Sequence, residues 1–179
     1  MKIRAASAQD AAALGEIYGH HVLGSLGTFE EVPPSDADMA GRIAGVLALG
    51  LPYLVAEDDA GRVLGFAYAS SFRPRAAYRY TAEESVYVHP DLVGRGIGKA
   101  LVAEIIAVCE AMGLRQLVAV IGDSGNAASL GLHRALGFTE IGVGRAFGHK
   151  HGRWVDIVWM QRALGPGADA PPSGAGLRL

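Results

Sequence analysis

Residues 88–102 read Val-His-Pro-Asp-Leu-Val-Gly-Arg-Gly-Ile-Gly-Lys-Ala-Leu-Val, and the architecture of the chain follows from this segment. A β-branched stretch passes through three alternating glycines, Gly94, Gly96 and Gly98, into the pattern of an amphipathic helix. Glycines at a helix start let an anion approach the backbone N–H groups, where the helix dipole is positive. The pattern therefore predicts a diphosphate site. A tight strand-to-helix turn would use the same glycines, so the pattern alone leaves both interpretations open.

Length and charge favour a single domain with a small ligand. The 179 residues carry a formal net charge of −2, and 50% of them are hydrophobic. These values are typical of one α/β or α+β domain. The chain has no block rich in Lys and Arg, which argues against nucleic acid as a partner.

Cysteine content and hydrophobicity indicate the compartment. Cys109 is the only cysteine, so no disulfide can form within the chain. The first residues lack the apolar core of a signal peptide, and no apolar run approaches the roughly 20 residues that span a bilayer. We expect a cytoplasmic protein without a membrane segment.

Hydrophobic periodicity and turn residues predict the order of the elements. Ser7 with Asp10 and Ser35 with Asp38 are typical capping pairs at two helix starts. A strand, the glycine turn, a helix and a further strand predict one parallel pair, and residues 53–57 and 63–71 predict an antiparallel hairpin. The predicted strands are 3–5, 53–57, 63–71, 83–88, 117–121, 138–143 and 153–162. The predicted helices are 8–21, one headed by Ser35 and stopped near Gly50, 98–112 and 127–136.

This order of elements resembles the GCN5-related N-acetyltransferases over residues 1–162. Asn126, which opens a helix that ends in Leu136-Gly137-Phe138, strengthens the resemblance. It implies an α/β (α+β) fold with a central mixed, mostly antiparallel twisted sheet of about six to seven strands and helices on both faces. Residues 163–179, rich in Gly, Pro and Ala, are expected to form a disordered tail.

The resemblance implies acetyl-CoA as cosubstrate, with its pyrophosphate at residues 93–98. Val93 stands where the family carries Gln or Arg, so we expect weaker phosphate binding with every backbone donor retained. A main-chain N–H near Val88 is expected to polarise the thioester carbonyl. Asn126 suits a helix N-cap, and the resemblance also implies that it holds the pantetheine arm; one side chain can serve both roles. Lys99 and Arg95 either contact phosphate or are solvated. The implied cofactor contacts are Val86, Tyr87, Val88, Val93, Gly94, Arg95, Gly96, Ile97, Gly98, Lys99, Asn126 and Ser129.

A closer resemblance, to phosphinothricin and methionine sulfoximine N-acetyltransferases, is spread over the whole domain. It is carried by Phe72-Arg73-Pro74, Tyr80-Thr81-Ala82-Glu83, Ser85-Val86-Tyr87-Val88, Gly125-Asn126-Ala127-Ala128-Ser129, Leu132-His133 and Lys150-x-Gly152-Arg153-Trp154-x-Asp156. It implies acetylation of the α-amino group of a small amino acid analogue, such as phosphinothricin, methionine sulfoximine or methionine sulfone, and a homodimer.

Two residues are the catalytic candidates. The resemblance places a general base at Glu83, and an exposed strand-end carboxylate is the alternative. It also places the proton donor for the CoA thiolate at His133, where the alternative is a histidine packed with its ring hydrogen-bonded. Glu84 is expected to face away from Glu83 and to serve as a comparison.

The acceptor is expected to be anionic. Arg73, Arg75 and Arg79 crowd the loop before Glu83, and a guanidinium group suits a carboxylate or phosphinate. An exposed basic loop is the alternative, chiefly for Arg75. Further substrate contacts implied by the resemblance come from Phe29, Lys150 and Trp154, with Phe29 as an aromatic wall or a core residue.

Other chemistry is disfavoured. His149 and His151 lack the further ligands of a metal site, so no metal is expected. Cys109 lies among apolar residues of a helix, which disfavours an acyl-enzyme. Two alternatives remain. One is an enzyme of the same fold that acetylates an aminoglycoside, a polyamine or a protein N-terminus, and the other is a catalytically silent acyl-CoA-binding module.

Overall fold

A seven-stranded mixed sheet in the order β1-β2-β3-β4-β5-β7-β6 forms the centre of the computed structural model, which describes residues 1–178. Strands β4 and β5 are parallel and the other neighbours are antiparallel. The strands are β1 Lys2–Ala5, β2 Tyr53–Glu57, β3 Val63–Ser71, β4 Thr81–Val88, β5 Gln116–Gly122, β6 Thr139–Lys150 and β7 Arg153–Ala163. The predicted mixed, mostly antiparallel sheet is confirmed, as is its parallel pair.

Helices cover both faces of the sheet, as predicted. Period-two alternation places Val55 and Phe66 in a core under α1 (Ala11–Gly24) and α2 (Asp36–Ala48), and Leu54 and Ala67 in a core under α3 (Ile97–Ala111). The helices are α1 Ala11–Gly24, α2 Asp36–Ala48, α3 Ile97–Ala111 and α4 Ala127–Ala135. Within residues 1–178, none of them has the length and apolar character that crossing a bilayer requires.

Both predicted capping pairs are present. Ser35 accepts a hydrogen bond from the Asp38 backbone N–H, and the Asp38 carboxylate accepts one from the Ser35 backbone N–H. The Asp10 carboxylate likewise accepts from the Ser7 backbone N–H, but the Asp10 N–H donates to the Ser7 backbone carbonyl. The turn that Ser7 heads is a short 3-10 segment, Ala8–Asp10, before α1 begins. Reciprocal capping satisfies backbone donors that a helix start leaves open.

Strand β6 is longer than predicted. The sequence indicated an end near Val143, whereas β6 pairs with β7 as far as Lys150. The register shifts between Gly144 and Gly148, where Ala146 takes a left-handed φ of 51°. Such a bulge interrupts the period-two pattern, so sequence alternation cannot reveal the second half of the strand.

The C-terminal segment differs from the predicted disordered tail. Leu177 is buried among α3-side core residues, and its backbone N–H donates to the Arg79 carbonyl. The Tyr80 hydroxyl donates to the Gly174 carbonyl, and Arg115 donates to the Pro171 carbonyl. Residues 164–178 form no helix or strand, and backbone groups together with the buried side chains of Leu164 and Leu177 make their contacts. A composition rich in Gly, Pro and Ala does not reveal such contacts.

Candidate active site

The parallel strands β4 and β5 separate at the centre of the sheet. Their pairing ends at Glu84 and Ala119. Beyond that point β4 stays paired with β3 as far as Val88, and β5 stays paired with β7 as far as Gly122. The gap between residues 85–88 and 120–122 therefore exposes backbone groups that no strand satisfies.

Strand alternation shows which peptide groups face this gap. The His89 N–H donates to the Leu64 carbonyl of the β3 side, so the groups of Val88 and Val86 point the other way. The Val88 carbonyl already contacts Nε2 of His21 at 2.9 Å. The N–H groups of Val86 and Val88 thus remain available to a ligand, at the position where the sequence placed a carbonyl-polarising donor.

A cavity of about 850 Å³ passes through the gap. Tyr87 and His21 line it from the α1 side, while Leu132 and His133 line it from the α4 side. Of the predicted cofactor contacts, Arg95 alone lies outside the lining. The lining includes Val86, Tyr87, Val88, Val93, Gly94, Gly96, Ile97, Gly98, Lys99, Asn126 and Ser129.

The glycine turn forms one end of the cavity. Gly94 and Gly96 have φ values of 79° and 80°, and Gly96 is the N-cap of α3. A side chain would strain this left-handed backbone, and the space beside both Cα atoms is open. The first turn of α3 holds Lys99 and no acidic residue, so its N-terminus is an uncrowded positive site that suits a diphosphate.

Glu83 lies near the closed end of the gap, on the face covered by α1 and α2. Its side chain is half-buried. Burial and the neighbouring charge of Glu84 raise the pKa of Glu83, although the positive charge of Arg73 acts in the opposite direction. A carboxylate with a raised pKa is better suited to accept a proton near neutral pH.

His133 projects from α4 to the opposite face and meets Glu84. Nε2 of His133 lies 2.5 Å from Oε1 of Glu84, and Nδ1 lies 2.7 Å from the Ser129 carbonyl oxygen. Burial works against the charged ring, but these partners outweigh it, and the pKa of His133 is raised. Glu84 faces away from Glu83, as expected. The sequence analysis used Glu84 only as a comparison for Glu83 and did not show that it is the partner of His133, the predicted proton donor.

The three arginines of the loop before Glu83 have different environments. The Arg73 guanidinium lies 5.4 Å from the Phe72 ring centroid, and its charge acts on Glu83. Arg75 donates to the carbonyl of Pro74. Arg79 donates to the Ala76 carbonyl and contacts Gly176 of the C-terminal segment. Arg73 is thus the one with a described electrostatic link to Glu83.

Within residues 1–178, the predicted acceptor residues and the predicted base all lie outside the cavity lining: Phe29, Arg73, Arg75, Arg79, Glu83, Lys150 and Trp154. Lys150 is buried, with Nζ donating to the Thr28 carbonyl at 2.7 Å, and Phe29 packs over Gly148. Lys150 therefore anchors the segment that carries Phe29. Trp154 is 67% exposed and packs edge-on against His149.

Two features of the site were missed by the sequence analysis. His21 of α1 contacts the Val88 carbonyl, and the loop after α1 passes so close to Gly122 that a Cβ there would meet the Leu26 carbonyl. Gly122 is followed by the turn residues Asp123, Ser124 and Gly125, so the sequence does not distinguish a close backbone approach from an ordinary turn glycine. His21 offers no signal, because its contact joins residues 67 positions apart.

Comparisons with known proteins agree with this geometry. Residues 26–138 match the model of the acetyltransferase (GNAT) family. The chain is 52% identical to phosphinothricin N-acetyltransferase of Alcaligenes faecalis, over 95% of this chain and 86% of that protein. It is 42% identical to L-methionine sulfoximine/L-methionine sulfone acetyltransferase of Pseudomonas aeruginosa, over 94% of this chain and 98% of that protein.

A solved structure extends the similarity to the whole fold. The phosphinothricin acetyltransferase of Sinorhizobium meliloti, crystallised in complex with acetyl-CoA, superposes with a TM-score of 0.94 at 47% identity. The match covers 98% of this chain and 94% of that one. With the family model and the curated relatives, it establishes that this chain belongs to the GNAT family of acetyltransferases.

Proposed function

We propose that this protein transfers the acetyl group of acetyl-CoA to the α-amino group of a small amino acid analogue such as phosphinothricin, methionine sulfoximine or methionine sulfone. One observation carries the proposal. A single cavity runs from the positive end of α3 along the strand gap to Glu84 and Ser85, which follow Glu83 on β4, although Glu83 is not itself among the lining residues. The relatives named for phosphinothricin and for methionine sulfoximine and sulfone support this substrate class.

Acetyl-CoA would lie along the gap. Its diphosphate binds the backbone N–H groups at Gly94–Gly98, with Lys99 beside them, and Val93 supplies no polar side chain. The pantetheine arm then occupies the place of a missing strand beside residues 85–88. The N–H of Val88 polarises the thioester carbonyl, as an oxyanion donor does.

The reaction proceeds by direct attack of the amine. Glu83 takes a proton from the amino group, directly or through a water, and the amine nitrogen adds to the thioester carbon. When the intermediate collapses, the carbon–sulfur bond breaks and the electron pair goes to sulfur. His133 holds the proton that the thiolate then receives. No acyl-enzyme is formed, since Cys109 is buried in α3.

An anionic acceptor is favoured by the charge next to Glu83. Arg73 is exposed on the loop before β4, and its charge reaches the Glu83 carboxylate. A carboxylate or phosphinate that binds Arg73 would present its amino group near Glu83. Polycationic amines would be repelled from the same loop, which also carries Arg75 and Arg79.

The test is a CoA-release assay with the purified full-length chain. The panel holds phosphinothricin, methionine sulfoximine, methionine sulfone, the unmodified amino acids, an aminoglycoside and a polyamine. We expect kcat/KM to be highest for the amino acid analogues. Turnover confined to polyamines or aminoglycosides would contradict the proposed substrate, and no turnover together with retained acetyl-CoA binding in calorimetry would identify a silent binding module.

We also propose a homodimer. The edge strand β6 carries exposed Ile141 and Phe147, and Trp154 is exposed on the adjoining strand β7. Exposed apolar side chains on a sheet edge are typical of association surfaces. Sedimentation equilibrium of the full chain gives the mass, and a monomer at micromolar concentration would contradict the proposal.

A further inference from the structure

Glu84 and His133 form a buried ionisable pair beside the strand gap. Their side chains are 1% and 2% exposed, and Oε1 of Glu84 lies 2.5 Å from Nε2 of His133. Removing two ionisable groups from water is costly unless they are paired. Each of these groups therefore depends on the other for its buried position.

The hydrogen bonds determine where the protons are. The Ser129 carbonyl can only accept, so Nδ1 of His133 carries a proton and donates it. The contact between Nε2 and Oε1 needs a second proton, either on the ring or on the carboxyl group. In both arrangements the pair holds one proton that can be transferred without loss of the Ser129 contact.

One oxygen of the pair has no partner. Oε2 of Glu84 is buried and makes no hydrogen bond within residues 1–178, whereas both ring nitrogens of His133 are engaged. Glu84 is also the last residue of β4 that pairs with β5, so it stands where the gap closes. Both Glu84 and Ala119 opposite it line the cavity. A buried acceptor left open at the end of a ligand cavity indicates contact with that ligand.

We propose that Glu84 is a further catalytic residue that delivers the proton shared with His133 to the sulfur of the leaving CoA thiolate. Oε1 takes the proton from Nε2 of His133, and rotation of the carboxyl group about the Cγ–Cδ bond brings the protonated oxygen to the open position that Oε2 occupies. The inference rests on the proposed acetyl transfer. A carbon–nitrogen bond forms, the carbon–sulfur bond breaks, and sulfur keeps the electron pair and gains the proton. The pair is left as a Glu84 carboxylate with a neutral His133, and it regains a proton from solvent after the products leave. The protons of the amine leave through Glu83.

Among the described titratable groups near Glu84, His133 is the one placed to exchange a proton with it. Cys109 faces it from α3, and burial with the charge of Glu84 raises the pKa of that thiol to about 12. The Cys109 thiol therefore stays protonated at neutral pH. Glu83 is the next residue of β4 but lies on the other face of the sheet.

The first variant is Glu84→Gln in the full-length chain. The amide NH2 group can still donate to Nε2 of a neutral His133, but the amide has no acidic proton to give. We expect kcat with the best acceptor of the panel to fall about 100-fold, the lower end of a general-acid contribution, with KM for acetyl-CoA within several-fold. The matched control is Glu104→Gln, an exposed position of α3, which keeps the wild-type kcat.

The pH profile separates a proton-delivering role from a structural one. Activity that requires the protonated pair declines as pH rises through its pKa, so the wild type shows an alkaline limb in kcat. In Glu84→Gln, kcat should no longer decline at the pH at which the wild-type kcat declines. Wild-type kcat with an unchanged limb in Glu84→Gln would overturn the inference and leave the proposed function intact.

Two further measurements keep the test decisive. Nitrogen-15 NMR titration of the His133 ring follows its protonation without any need for turnover. If Glu84 shares the proton, the pKa of the His133 ring falls in Glu84→Gln. If the His133 ring titrates identically in the wild type and in Glu84→Gln, the inference is overturned, whether or not the wild type acetylates any amine. Failure of the wild type to acetylate any amine contradicts the proposed function instead. If Glu84→Gln fails to fold, Glu84→Asp keeps the acid but withdraws its oxygens, and we expect reduced kcat with the alkaline limb retained.

Discussion

Strand β4 carries two adjacent carboxylates that meet opposite environments. Glu83 faces α1 and α2, is half-buried, and has a pKa raised by burial and by Glu84, with no hydrogen bond contributing among the described residues. Glu84 faces α3 and α4, is almost completely buried, and is held by His133. Neighbouring titratable groups in different surroundings suit opposite directions of proton transfer. We therefore propose that Glu83 accepts the amine proton on one face of β4 and that the pair of Glu84 and His133 holds a proton on the other face.

The largest effect is expected for Glu83→Gln. The amide keeps the size of the side chain but cannot accept the amine proton, so kcat should fall by about 10²- to 10⁴-fold. Binding of acetyl-CoA, measured by calorimetry, should stay within several-fold because the phosphate site lies at the other end of the gap. Steady-state kinetics at neutral pH provide the measurement. Unchanged turnover would remove Glu83 as the base and with it this half of the comparison.

For the free energy of unfolding we expect the opposite ranking of the two faces of β4: loss of the Glu84 partner should cost more than loss of Glu83. His133→Ala leaves the Glu84 carboxylate buried without its partner, and breaking a buried pair costs about 3–5 kcal/mol in the free energy of unfolding. Glu83→Ala should cost less than about 1 kcal/mol, since its half-buried side chain loses no described hydrogen bond. Urea denaturation of both variants measures the difference.

The pH dependence of that stability gives a second check. The folded-state pKa of His133 is raised, so its contribution is complete below the ordinary histidine pKa and is lost as pH rises through the raised value. The difference in the free energy of unfolding between the wild type and His133→Ala should therefore become smaller at alkaline pH. A difference in the free energy of unfolding that stays constant from acid to alkaline pH would contradict a charged His133 in the folded protein.

Local features of the site were predictable from the sequence, whereas contacts between distant strands were not. Gly94 and Gly96 mark the turn because their left-handed φ values restrict the residue type at that position. The gap between β4 and β5 depends on where pairing ends, at Glu84 and Ala119, and no residue pattern encodes that end. Alternation placed Glu84 on the correct face, but it could not show that His133, 49 positions away, meets it there.

The smallest of these effects concerns Arg73, whose charge acts on Glu83 and which we propose binds the anionic group of the acceptor. Arg73→Gln removes one charge-assisted contact worth about 1.5–3 kcal/mol, so KM for an anionic amino acid analogue should rise roughly 10- to 100-fold while KM for acetyl-CoA stays constant. The loss of this cation also raises the pKa of Glu83 further, because Arg73 favours its ionised form. Since the base must be ionised, the acid limb of kcat/KM should move to higher pH. Lys2→Gln removes one positive charge on the edge strand β1 and should change neither quantity, so an equal effect in both variants would reduce Arg73 to a general contribution of net charge.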